Sequence, residues 1–298
     1  MNWGPQRMAV YKRTYSTYSG PLTTQLQRMG VLVRYGVAEA WSTKVTAVLF
    51  TVCYVPTLLF MLTIYLTNNP AARLLAGPNL RLVTIDSHFF LIALQIQCWL
   101  ALALTAWISP RLVSADLADN ALPILLSHPI SRFEYVMGKL VVLLTCLSLV
   151  TWVPVLLLFL FQAYSSAVPW AGAHLFLAFG TLAGALIWIC FLSLLSLALS
   201  SWVKWRVVAT GLIFAAVFVP AGIGTIFNAV VRTRWGSLIN IPFVMSTLWQ
   251  RLLQVVPNRF EIREPLPTAA MAIMLLIVCG GCVTALNARI RAREVVRG

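Results

Sequence analysis

Few residues in this 298-residue chain have the types and spacing for chemistry. Cys279-Gly280-Gly281-Cys282 has the C-x-x-C spacing of redox dithiols and of half a zinc site. It lies inside the last long apolar segment, with no second cysteine pair and no nearby histidine, and reads as close packing of small residues. Cys53, Cys98, Cys146 and Cys190 are scattered through other apolar segments and read as small buried hydrophobes. Gly180-Thr181-Leu182-Ala183-Gly184 is a G-x-x-x-G pattern that lets another helix approach closely, as an intrachain packing face or as a dimer seam. Gln95 and Gln97 fall within an apolar segment, where hydrogen bonding to a neighbouring helix is the expected use. His88 and His174 sit near segment ends. No acid lies clearly inside an apolar segment, which argues against a proton relay. No His, Asp, Glu and Cys set converges on a catalytic layout, and no G-x-x-x-x-G-K-S/T phosphate cradle occurs. The expectation is a protein that is not an enzyme, with no metal and no cofactor.

One stretch stands apart. Ile108–Leu140 holds Asp116, Asp119 and Glu134, three of only eight acids, between two long apolar segments. Arg111–Leu126 has helical character, with Leu112, Leu122, Leu125 and Leu126 as apolar contacts and Pro123 as a bend. Ser127-His128-Pro129-Ile130-Ser131 then forms a turn, because a residue before proline is pushed out of helical geometry. Ser131 and Glu134 have capping-box spacing for the next helix, and Lys139 would mark its edge. A short helix ending in a rigid turn suits docking to a soluble partner.

The elements around these residues follow from composition. The chain is 60% hydrophobic and only 10% charged, against about 25% charged in soluble domains. A spanning helix needs roughly 20 apolar residues, and six segments qualify: approximately 45–66, 88–109, 140–162, 174–202, 207–231 and 265–288. The fold class expected is an all-α integral membrane protein of six transmembrane helices. Residues 1–21 read as a flexible tail without a secretory signal. Residues 22–44 read as an interfacial amphipathic helix, since Leu22, Leu26, Met29, Val33, Val37 and Trp41 recur at helical spacing. Residues 45–288 read as one six-helix transmembrane domain and 289–298 as a basic tail. Between the fifth and sixth spans, 238–256 is apolar but interrupted by Pro242 and carries Arg251. It reads as two short interfacial or re-entrant helices.

The net charge of +14 reflects orientation, with no basic module interleaved with aromatics for nucleic acid. Fifteen of the 22 basic residues lie before the first span, in the second-to-third and fourth-to-fifth loops, or after the sixth span. The positive-inside rule then puts both termini in the cytoplasm of a plasma (inner) membrane protein.

The run Asp116…Asn120-Ala121-Leu122-Pro123-Ile124-Leu125-Leu126-Ser127-His128-Pro129-Ile130-Ser131-Arg132-Phe133-Glu134…Gly138-Lys139-Leu140 resembles the cytoplasmic loop of ABC-2 type transporter permeases. Asn120-Ala121 stands where that family has Gly-Thr, and Pro123 where it has an acid. The resemblance extends to Arg34, Glu39 and Ala40 before the first span and to the Arg289–Val296 tail, and so covers residues 22–298. It implies the membrane subunit of an ATP-driven exporter, with a coupling helix seated in an ATP-hydrolysing nucleotide-binding subunit. The implied docking residues are Asp116, Asp119, Asn120, Leu122, Leu125, Ser127, His128, Pro129, Ile130 and Ser131. A second permease, identical or similar, is the other implied partner, alongside the lipid bilayer. The competing expectation is a six-span channel or ion-coupled carrier with no ATPase.

Overall fold

The computed structural model describes residues 24–69, 71, 84–118, 132–166, 170–255 and 266–295. These are almost entirely helical, with no strand among them. The elements are α1 (Gln25–Trp41), α2 (Lys44–Asn68), α3 (Ser87–Ala118), α4 (Arg132–Val150), α5 (Trp152–Ser165), α6 (Trp170–Ala173), α7 (Leu175–Trp202), α8 (Arg206–Val231), α9 (Ile241–Leu252) and α10 (Thr268–Val295). A 3-10 turn, Trp235–Leu238, precedes α9.

Among the described residues, six helical stretches are long and apolar enough to cross a membrane: Lys44–Asn68, Ser87–Ser114, Glu134–Ser165, Leu175–Trp202, Arg206–Val231 and Thr268–Arg289. Each contains most of one segment expected from the sequence. Their burial grades them, with the third span, Glu134–Ser165, intermediate at 44%. The apolar windows of α3 and α7 are 67% and 61% buried, against 22% each for α2, α8 and α10. The two inner helices pack on each other more extensively than any other pair. The outer three turn residues such as Val52, Leu59, Val219, Ile226 and Leu276 outward. Apolar side chains facing both core and surroundings are what a membrane span requires.

The third span is broken. α4 ends at Val150, Thr151 leaves helical geometry at φ −96°, ψ −89°, and α5 resumes at Trp152. Pro154, in the first turn of α5, has no N–H to give the preceding turn and crowds it sterically. The Thr151 hydroxyl donates to Leu147 O at 2.9 Å, and the Tyr54 hydroxyl on α2 donates to Leu149 O at 2.6 Å. Leu147 O also keeps its helical partner, Thr151 N at 2.9 Å, so it is the Tyr54 hydroxyl that supplies a donor where the ladder is interrupted.

The second span differs from expectation at its far end. Its helix does not stop near Ser109 but runs through Pro110 to Ala118. Pro110 cannot donate to the carbonyl of Ala106, one turn back. That carbonyl instead accepts from the Thr210 hydroxyl of α8 at 2.9 Å. With the orphaned group satisfied, the helix continues.

Candidate functional site

The chain crosses back and forth so that the ends of α3 and α7 meet the starts of α2, α4 and α8 on one face of the bundle. Here Ser114 Oγ donates to Ser200 O at 3.0 Å, and Ser109 Oγ lies 3.3 Å from Ser200 Oγ. Arg111 donates to Thr43 Oγ1 at 3.1 Å and lies over the Trp107 ring. Glu39, Ala40 and Thr46 line a shallow notch with Ile108, Arg111 and Leu112. The segment expected to dock a partner leaves from this face. Asp116 falls in the last turn of α3. Asp119, Asn120, Leu122, Leu125, Ser127, His128, Pro129, Ile130 and Ser131 lie outside the described residues, as does the turn they were expected to form.

What the structure does define is how α1 is held against α4, the helix that follows that segment in sequence. The helix starts at Thr24, whose N–H donates to Gln27 Oε1 at 3.0 Å, and it packs along α4. Two glycines make the approach close. A Cβ at Gly36 would lie 2.7 Å from Val142 Cγ2, and one at Gly138 would collide with Leu32 Cδ2. Thus Gly138, in the Gly-Lys-Leu run, is the hole into which Leu32 fits. Next to it the guanidinium of Arg28 lies 3.7 Å from the carboxylate of Glu134, whose side chain is 4% exposed. Lys139 is buried, its ammonium 5.6 Å from the centre of the Tyr135 ring. The edge marker expected from the sequence is therefore covered by protein. The pairing of Arg28 with Glu134 was missed at sequence level because 106 positions separate the two residues.

The inward stripe of α1 is close to that expected, through Val33, Gly36, Val37 and Ala40. Trp41 departs from it. It is 41% exposed, and its ring stacks on Phe50 with centroids 4.2 Å apart. Val31 and Tyr35 point outward as well, so α1 carries apolar groups on two sides.

At the opposite end, the Arg232–Glu264 region holds one α-helix and a 3-10 turn among its described residues, where two short helices were expected. Pro242 does not interrupt α9 but sits in its first turn, where a missing N–H costs nothing. Asn240 caps that helix by accepting from Phe243 N at 3.0 Å. The G-x-x-x-G face is where α9 lands. A Cβ on Gly180 would meet Leu252 O at 2.7 Å, and one on Gly184 would meet Trp249 Cδ1 at 2.7 Å. Trp249 Nε1 donates to Gly184 O at 3.1 Å. The close-approach surface of this motif is filled within the chain. Arg251 donates to Leu266 O at 2.7 Å and fastens α9 to the entry of α10.

Polar side chains within the spans pair across helices. Gln97 is buried and donates to Thr57 Oγ1, joining α2 to α3. Asn68 donates to Gln162 Oε1 at 2.8 Å, joining α2 to α5. His174 stacks on Trp170 with centroids 4.3 Å apart. Cys53, Cys98 and Cys146 are buried as expected, but Cys190 is exposed because it lies on the outward side of α7 with Leu186 and Ile187. Cys279 and Cys282 are free and half-buried, and no cluster of metal-ligating side chains occurs among the described residues.

Six apolar spans among the described residues, with the α3–α7 pair at their centre, define the class: a multi-pass helical membrane protein. No family model matches the chain, and no curated protein matches it.

Proposed function

We propose that this chain is the membrane-spanning permease subunit of an ATP-driven ABC exporter. The observation that supports this reading most is the packing of α1 against α3 and α4, the two helices that flank residues 119–131 in sequence. In this reading both termini are cytoplasmic and α1 lies in the membrane interface. Residues 119–131 carry the coupling helix, which sits in a groove of a separate nucleotide-binding subunit. Because α1 is held on α4 by the Gly36 and Gly138 contacts and the Arg28–Glu134 pair, a push on that loop reaches α1 and the third span together. α9, held between α7 and α8, is a short re-entrant helix that closes the outer side. The chain has no P-loop, so ATP is hydrolysed on the partner. Two permeases and two ATPases form the transporter, and the scarcity of buried charge favours an amphiphilic, lipid-like cargo.

The test is gentle purification of the tagged protein from its native membrane, with identification of what accompanies it. A nucleotide-binding subunit at stoichiometric level is expected. Its consistent absence, with the protein intact and folded, overturns the reading.

A further inference from the structure

The ends of α7 and α10 and the start of α8 form a patch that the proposed transport cycle does not use. Trp202 closes α7 and Trp205 precedes α8, and they are 55% and 76% exposed. Lys204 and Arg206 alternate with them and are exposed too. From α10, the Arg289 guanidinium lies over the Trp202 ring at 5.3 Å. Its Nε is buried and has no hydrogen-bond partner. Residues 202–208 and α10 together carry Lys204, Arg206, Arg289, Arg291 and Arg293 against one acid, Glu294.

Directly along the span from these cations, the outward side of α8 presents Val208, Leu212 and Val219. Cations at the end of a span attract anionic groups within roughly a Debye length. Tryptophans with one apolar and one polar edge settle at the hydrocarbon boundary. An acidic protein surface would match the cations but would have no use for the apolar strip beside them. A diacyl phospholipid matches both.

We propose that this patch is a binding site for an anionic phospholipid of the surrounding leaflet. The phosphate sits among Lys204, Arg206 and Arg289, and the acyl chains lie along the outward face of α8. Because α8 and α10 both pack on α7, one headgroup there ties the ends of three spans together. This inference needs only the helical bundle and stands independently of the proposed ATPase partner.

The test is native mass spectrometry of the full chain released from micelles doped with phosphatidylglycerol or phosphatidylcholine. The wild type is expected to retain phosphatidylglycerol in preference to phosphatidylcholine. Removing each charge should weaken that retention about fivefold. Lys204→Gln/Arg206→Gln changes only exposed side chains and so tests the site without touching the Arg289–Trp202 contact. Adding Arg289→Gln should remove the preference altogether. Arg34→Gln/Lys44→Gln, at another part of the same face, should leave it unchanged. Equal retention of the two lipids by the wild type would overturn the site. So would full retention by the double variant, or an equal loss in the Arg34 and Lys44 control, which would mean diffuse charge attraction.

Discussion

The Thr210 hydroxyl of α8 donates to the backbone carbonyl of Ala106 on α3, the carbonyl that Pro110 leaves without its helical donor. In a lipid environment an unpaired backbone group has no water to turn to. A hydroxyl from one span therefore repairs a defect in another and holds the two together. Replacing Thr210 by valine keeps the shape and removes the donor. It should lower stability by about 1 kcal/mol, toward the upper part of the range for hydrogen bonds between membrane helices. Pro110→Ala restores the N–H and should recover most of that loss. Thermal unfolding of the two single variants and the double variant in detergent measures this. Additive effects would sink the idea.

The contacts of α1 with α4 make a second prediction. Gly138→Val places a side chain where Leu32 Cδ2 now lies. Overpacking of this kind costs about 1–3 kcal/mol, and here α1 can escape it by lifting away. Limited proteolysis near residue 28 should therefore accelerate while the spans stay intact. Leu32→Ala in the same chain should reverse the change. Unaltered cleavage in Gly138→Val would show that the two helices are not so close.

The Arg28–Glu134 pair should couple measurably. Arg28 is 31% exposed on its side chain, so water screens part of the attraction. A double-mutant cycle of Arg28→Ala and Glu134→Ala is expected to give about 0.5–1 kcal/mol, falling as salt rises. A coupling of zero at low salt would remove the pair from the account of how α1 is held.

Gly180 and Gly184 should respond differently to alanine. At Gly180 the added carbon meets the backbone carbonyl of Leu252, which cannot swing aside, whereas at Gly184 it meets the edge of the Trp249 side chain. Gly180→Ala should cost about 2 kcal/mol and Gly184→Ala less. Neither should change the oligomeric state, because the face is occupied by α9 of the same chain. Dissociation of an oligomer by either variant, measured by light scattering in detergent, would contradict this assignment.

The proposed partner makes its own prediction. Leu125→Asp puts a charge into the apolar contact expected at the coupling helix. It should abolish co-purification of the nucleotide-binding subunit while membrane insertion remains normal. Undiminished co-purification would refute the docking role of this loop.

The six spans could be read from the chain because each is a long apolar segment without Asp, Glu, Lys or Arg, and apolarity over roughly 20 residues is a local property. The amphipathic period of α1 was legible for the same reason, since inward residues recur every three or four positions. The chain also named G-x-x-x-G as a close-approach face, but not what would approach it. Only the fold decided that Leu252 and Trp249 of α9 fill it, 65 or more positions away in sequence. The same is true of Gly138 receiving Leu32, Glu134 facing Arg28, and Thr210 serving Ala106 across 104 positions. The second apolar segment was expected to end near Ser109, and Pro110 removes the local N–H that would serve the carbonyl of Ala106. The helix continues because tertiary packing brings another donor. Hydrophobic length is written residue by residue along the chain. Which helix satisfies another's polar groups, or fills its glycine gaps, is fixed only once the helices pack together.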